Sequence, residues 1–196
     1  APRVAARFGK TILELGGNNA MIPTPSADMK LALHATVFGA VGTAGQRCTS
    51  QRRLIAHSSV HDDFVTKVKS AYETVRIGNP LDASTLLGPL IDKEAFDNMQ
   101  AALERARKAG GKVTGGERAL EDQYPNAYYV TPAVVEMPEH SDVIHHETFA
   151  PIMYTVSYND LSDAIDMQNE VPQGLSSCIF TTDIREAELF TSHAGS

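Results

Sequence analysis

Hydrophobic positions along this chain change period several times. Thr11-Ile12-Leu13-Glu14-Leu15 is a short β-prone run stopped by Gly16-Gly17. Ser26 follows Pro23 and Pro25 and stands where a helix N-cap belongs. From Ala27 to about Val41 the chain is apolar on most faces, with Leu31, Leu33, Val37, Phe38 and Val41, so this helix is expected to be buried. Arg53-Leu54-Ile55-Ala56 predicts a strand. Ser59 to Arg76 has helical period, with Val60, Phe64, Val68, Ala71 and Val75 on one side. Lys93 to Ala109 is a second amphipathic helix, closed by Gly110-Gly111. Val113, Tyr128 to Val135, Ile152 to Tyr158 and Leu175 to Thr181 read as strands. Leu161 to Asn169 reads as a helix, and another begins at Asp183 and is expected to be unfinished at Ser196.

Strands spaced by helices of this length predict an α/β fold, a largely parallel twisted sheet with helices on both faces. No repeat, low-complexity tract or Gly/Ser linker interrupts the pattern, so one domain is expected over residues 1–196. Both ends look cut. The net charge of -7, with no basic block, argues against nucleic acid and anionic membrane as partners. No apolar run approaches the roughly 18 residues of a bilayer span, and the N-terminus lacks the apolar core of a secretory signal. Two cysteines, Cys48 and Cys178, make no disulfide framework, which favours a cytoplasmic setting.

Three stretches carry chemistry. In Leu13-Glu14-Leu15-Gly16-Gly17-Asn18 a carboxylate ends a strand-like run before paired glycines. Sites in open parallel sheets form outside the carboxyl ends of strands, and partial burial there would raise the carboxylate toward neutrality, as a general base requires. The plain alternative is a surface Glu before a turn. In Gly42-Thr43-Ala44-Gly45-Gln46-Arg47-Cys48-Thr49 a thiol follows a glycine-rich break. That backbone can present sulfur to a pocket and aim N–H groups at a developing oxyanion, and Arg47 can favour the thiolate. The alternative is a buried structural cysteine. In His146-Glu147-Thr148-Phe149-Ala150-Pro151 an acceptor and an aromatic share one face of an extended segment. Such a pair suits ribose hydroxyls and a flat ring, or else a satisfied loop Glu and a core Phe.

The order Glu-Gly-Gly, Gly-Gln-x-Cys, Glu-x-Phe-x-Pro, with 34 residues from Glu14 to Cys48 (48 − 14), resembles the aldehyde dehydrogenase superfamily. Ile77-Gly78-Asn79-Pro80-Leu81-Asp82, Gly88-Pro89-Leu90-Ile91 and Gly174-Leu175-Ser176-Ser177 extend the resemblance over essentially the whole chain. Gly-Gly-Asn-Asn at 16–19 and Gly-Thr-Ala-Gly-Gln-Arg-Cys-Thr at 42–49 look most like the antiquitin-type branch, which oxidises α-aminoadipic semialdehyde.

The resemblance implies a catalytic domain in which Cys48 attacks an aldehyde and Glu14 serves as base. It implies NAD as cofactor, with NADP left open. Glu147 would hold the nicotinamide ribose, and Phe149 would line the ring site with the backbone of Glu14, Leu15 and Gly16. Arg47 and Thr49 would face the substrate. It also implies that most of the cofactor-binding domain lies upstream, a further segment lies downstream, and the parent is a homo-oligomer. The isolated chain should then grip NAD no better than millimolar, be impaired as a dehydrogenase, and self-associate through uncovered apolar surface.

His145-His146-Glu147 suggests a metal only weakly, because adjacent strand residues face opposite ways; no metal is expected. Cys178 reads as core packing. Two rival readings remain at this point. One is a Cys-His hydrolase using His145 or His146, and the other is an idle scaffold of the same fold.

Overall fold

The computed structural model describes residues 1–196. In chain order its elements are α1 (Pro2–Ala5), β1 (Asn19–Pro23), α2 (Met29–Val41), β2 (Gln51–His57), α3 (Ser58–Glu73), α4 (Lys93–Lys108), β3 (Lys112–Thr114), β4 (Arg118–Ala119), β5 (Tyr129–Val130), β6 (Ala133–Glu136), α5 (Asp142–His145), β7 (Ile152–Tyr158), α6 (Leu161–Asn169), β8 (Ser177–Phe180) and α7 (Ile184–Thr191). Six strands form one sheet in the order β3-β6-β7-β2-β1-β8. Every pairing in it is parallel except β3 with β6.

Helices cover both faces, as the alternation predicts. Arg53 on β2 reaches the main chain of Met167 and Gln168 in α6. Its neighbour Leu54 pairs in register with Thr155, whose hydroxyl meets His61 on α3 at 2.8 Å. Successive strand residues point to opposite faces, so α3 and α6 lie on opposite sides of the sheet. One core cluster runs through both layers, with Ile22, Leu54, Ile55, Phe64, Val68, Leu103, Met153 and Ile165 all buried.

Several boundaries follow from local chemistry. Asp92 caps α4 by accepting from the Ala95 N–H at 2.8 Å, and Arg105, Arg107 and Lys108 sit in its last turn, where the helix dipole favours cations. Gly110, with φ of 86°, closes it. Pro132 lacks an N–H, so the run expected from Tyr128 to Val135 breaks into β5, which pairs with β4, and β6, which joins the main sheet.

Four expectations need correction. Residues 11–15 form no strand. The sheet already pairs both sides of β1, and Ile12, Leu13 and Leu15 stay exposed without a ladder partner. Ser26 is not the N-cap of α2; its hydroxyl cross-links to Thr181 and Thr182, while Asp28 accepts from Lys30 and Leu31. The α2 helix is only half buried. Its small residues Ala32, Thr36 and Ala40 pack inward, and Leu31 (58%) and Phe38 (59%) remain exposed. The last helix ends at Thr191, and the chain folds back so that the Ser196 N–H donates to the Phe190 carbonyl at 2.9 Å. No helix is long and apolar enough to cross a membrane.

Candidate active site

The segments carrying the three motifs meet at the amino ends of the parallel strands. Gly17 and Asn18 lead into β1, Cys48 into β2, Glu147 and Phe149 into β7, and Ser176 into β8. This corrects the carboxyl-end placement expected for Glu14. Loops entering the sheet, not those leaving it, build this site.

The Cys48 loop is held from several sides. Asn19, the buried first residue of β1, donates to the carbonyls of Cys48 and Ser50, each at 2.8 Å, and accepts from Ser176 Oγ at 2.8 Å. A Cβ on Gly17 would collide with the Cys48 carbonyl, so the two segments touch backbone to backbone. Thr43, Ala44 and Gly45 all lie in the left-handed region, with φ of 55°, 55° and 66°. For Thr43 and Ala44 that costs on the order of 1–3 kcal/mol each. The turn lets Gly45 pack directly on the Ala150–Pro151 backbone, where no side chain fits. Gln46 clamps the loop to the next segment, accepting from the Ile91 N–H at 2.8 Å. Cys48 itself is intermediate in exposure, as is Cys178.

Glu147 and Phe149 face a cavity of about 420 Å³, also lined by Asp92, Asn98, Arg105 and His146. Glu147 Oε1 accepts from the Gly17 N–H at 2.9 Å. Its Oε2 accepts no hydrogen bond within the chain and lies against Gly16. One face of Phe149 rests on Arg52, and 44% of the residue is exposed. A free carboxylate oxygen beside an exposed ring fits a ribose and a flat ring.

The hub is Arg52, which sequence reasoning missed. Four of its N–H groups donate to main-chain carbonyls: Gly17 at 3.4 Å, Gly45 at 3.0 Å, Arg47 at 2.9 Å and Thr148 at 2.7 Å. The guanidinium lies 3.6 Å from Glu147 Oε1 and stacks 4.8 Å from the Phe149 ring centroid. Burial holds it below the ordinary arginine range, against the pull of Glu147 and a weaker pull of Cys48. Arg47, expected to favour the thiolate, instead stacks on Phe38 at 5.5 Å and leaves a buried Nε without a partner. A signal was present, since two arginines opening an apolar strand must each find acceptors if buried.

The other candidates divide. Glu14 lies in exposed coil, no hydrogen bond joins it to Cys48, and the burial expected to tune it is absent. Leu15 is exposed and Thr49 is exposed beside the thiol. No histidine hydrogen-bonds Cys48. His145 is turned instead toward His140, Asp142 and Glu170. His140, His145 and Glu170 bring three ligand atoms within 4.8 Å. However, Arg53 Nη1 donates to His140 Nε2 at 3.3 Å, which leaves the ring proton on Nδ1 facing Glu170 at 2.7 Å. A metal would need that same Nδ1 bare, so the cluster reads as a hydrogen-bonded relay. Burial pushes His140 down, against the pull of Glu170.

The aldehyde dehydrogenase family profile matches residues 1–195. The chain belongs to the aldehyde dehydrogenase family. The alpha-aminoadipic semialdehyde dehydrogenase of Rattus norvegicus is 45% identical over 181 residues, covering 92% of this chain and 33% of that protein. Aldehyde dehydrogenase family 7 member A1 of Pisum sativum is 45% identical over 178 residues, 91% of this chain and 34% of its own length. The chain thus spans about a third of these curated relatives. Among solved aldehyde dehydrogenases, the Staphylococcus aureus betaine aldehyde dehydrogenase complexed with NAD+ superposes with a TM-score of 0.88 at 26% identity, over 95% of this chain and 38% of that one. The Escherichia coli lactaldehyde dehydrogenase gives 0.86 at 31% identity, over 95% and 39%.

Proposed function

We propose that this chain is the nucleophile-bearing catalytic portion of a longer, NAD-dependent aldehyde dehydrogenase of the α-aminoadipic semialdehyde type. The observation that carries the reading is the convergence of the Gly17, Cys48 and Glu147–Phe149 segments at one end of the sheet. The relatives in rat and pea support the semialdehyde assignment, and the NAD+ complex of the Staphylococcus aureus neighbour supports the cofactor.

In this reading Glu14 takes the Cys48 thiol proton and passes it to solvent, and the sulfur adds to the aldehyde carbonyl carbon, forming a thiohemiacetal oxyanion that faces the Cys48 N–H. Bound NAD supplies a hydride acceptor. Loss of hydride from the former aldehyde carbon leaves a thioester on Cys48. Water then attacks that carbon, giving the carboxylate and releasing the thiol. Glu14 takes the proton from the water. It can do so only when residues 9–15 pack against the site, since reach precedes basicity. Glu147 holds the nicotinamide ribose through its free Oε2, and Phe149 borders the ring with Leu15 and Gly16. Arg47 and Thr49, on either side of Cys48, would meet the substrate. The parent is a cytoplasmic homo-oligomer with a small aldehyde as its substrate.

The test is NADH formation by the longer enzyme with α-aminoadipic semialdehyde and with hexanal. A much higher kcat/KM for the semialdehyde is expected. Turnover of hexanal alone would keep aldehyde oxidation and remove the semialdehyde assignment. No NADH from either would remove the reading.

A further inference from the structure

Arg52 does more than fill space. A buried guanidinium must find acceptors for its five donors, and here they are drawn from three separate segments. Gly17 belongs to the first, Gly45 and Arg47 lie in the loop that leads to Cys48, and Glu147 and Thr148 belong to the third. The planar group also forms the floor beneath Phe149. Removing it frees Glu147 to swing on a single remaining bond, that from Gly17. It also leaves one face of the Phe149 ring unsupported.

We infer that Arg52 is a positioning residue that fixes the Glu147 carboxylate and the Phe149 ring relative to the Cys48 loop, and so sets the grip on the nicotinamide-ribose half of the cofactor. The inference rests on the reading given under Proposed function. Arg52 touches neither substrate nor cofactor in this role; it acts through Glu147 and Phe149. Lysine cannot replace it fully. An ammonium retains the charge facing Glu147 but lacks the fork that spans four carbonyls and the plane that stacks.

The experiment is a double-mutant cycle on NAD affinity, read by calorimetry without aldehyde in the longer enzyme, with Arg52→Gln, Glu147→Gln and the pair. Loss of the residue that orients a binding group costs on the order of 10-fold or more. Each single variant is expected to weaken NAD by about that factor. The pair should fall well short of the product of the two losses, because both changes disable the same carboxylate. Wild-type affinity in Arg52→Gln alongside a lowered Tm would show a purely structural arginine and overturn the inference. Multiplying losses in the pair would overturn it as well. If Arg52→Gln does not fold, Arg52→Lys carries the same cycle, with a smaller loss expected. An absence of NAD binding by wild type removes the underlying reading, and this inference with it. Normal wild-type binding with an unaffected Arg52→Gln removes this inference alone.

Discussion

Alanine at Cys48 is expected to cut aldehyde-dependent NADH formation by the longer enzyme by at least about 10⁴-fold, the scale on which covalent catalysis collapses without its nucleophile. Substrate and cofactor affinities should change little, because the sulfur is asked to react, not to anchor. Alanine at Cys178 is the matched control. That thiol is half-buried on β8 and pairs in register with Met21. Burial pushes its pKa up, which suppresses the thiolate and suits an inert role. Its replacement should leave turnover near wild type. A Cys48→Ala enzyme that keeps its rate would contradict the assignment of the nucleophile.

The largest stability loss is expected from Arg53→Met. Arg53 is 1% exposed, and it donates to the Asn18 carbonyl at 2.7 Å, the Met167 carbonyl at 2.7 Å, the Gln168 carbonyl at 3.0 Å and Gln168 Oε1 at 3.1 Å. Burial lowers its pKa to about 10, with Glu170 pulling the other way, so it remains charged at neutral pH. Methionine is close in volume and strands four acceptors, three of them buried and one half-buried. The expected loss is about 3–5 kcal/mol, or a Tm drop on the order of 10 °C for a chain of this length. Arg107→Met is the control, because Arg107 is half exposed and meets Glu104 only at 3.9 Å. Exposed pairs of that kind contribute at most about 1 kcal/mol. Thermal melts of the two variants side by side read the difference, and equal melting temperatures would contradict this account of the buried network.

Much of the scaffold was legible because its signals are local. The apolar run from Ile152 to Tyr158 and the helical period from Leu161 to Asn169 match β7 and α6 residue for residue. What period alone could not supply was the partner. Thr11 to Leu15 looks like a strand, yet no strand of the sheet pairs with it, and α2 looks buried until its small face turns out to be the one that packs. The site was legible as three motifs but not as an arrangement. Their meeting depends on hydrogen bonds that span many residues, from Arg52 to Thr148 and from Asn19 to Ser176. A polar residue beside an apolar strand gives no hint of which backbone it will bind. Glu14 is the clearest limit. Its motif is plain in the sequence, yet the carboxylate stands in exposed coil, where nothing in the chain holds it.

Cys48 sits in a built loop between Arg52, Asn19 and the Glu147 segment, and that arrangement should make it the reactive thiol of the chain. The direct test is the rate of iodoacetamide alkylation at Cys48 and at Cys178, followed by peptide mass spectrometry on the native 196-residue protein. Modification of Cys48 well ahead of Cys178, with the preference lost on denaturation, is the expected result. Equal rates in the folded protein, or faster reaction at Cys178, would mean that Cys48 is an ordinary structural cysteine and that the site described here is not built for nucleophilic chemistry.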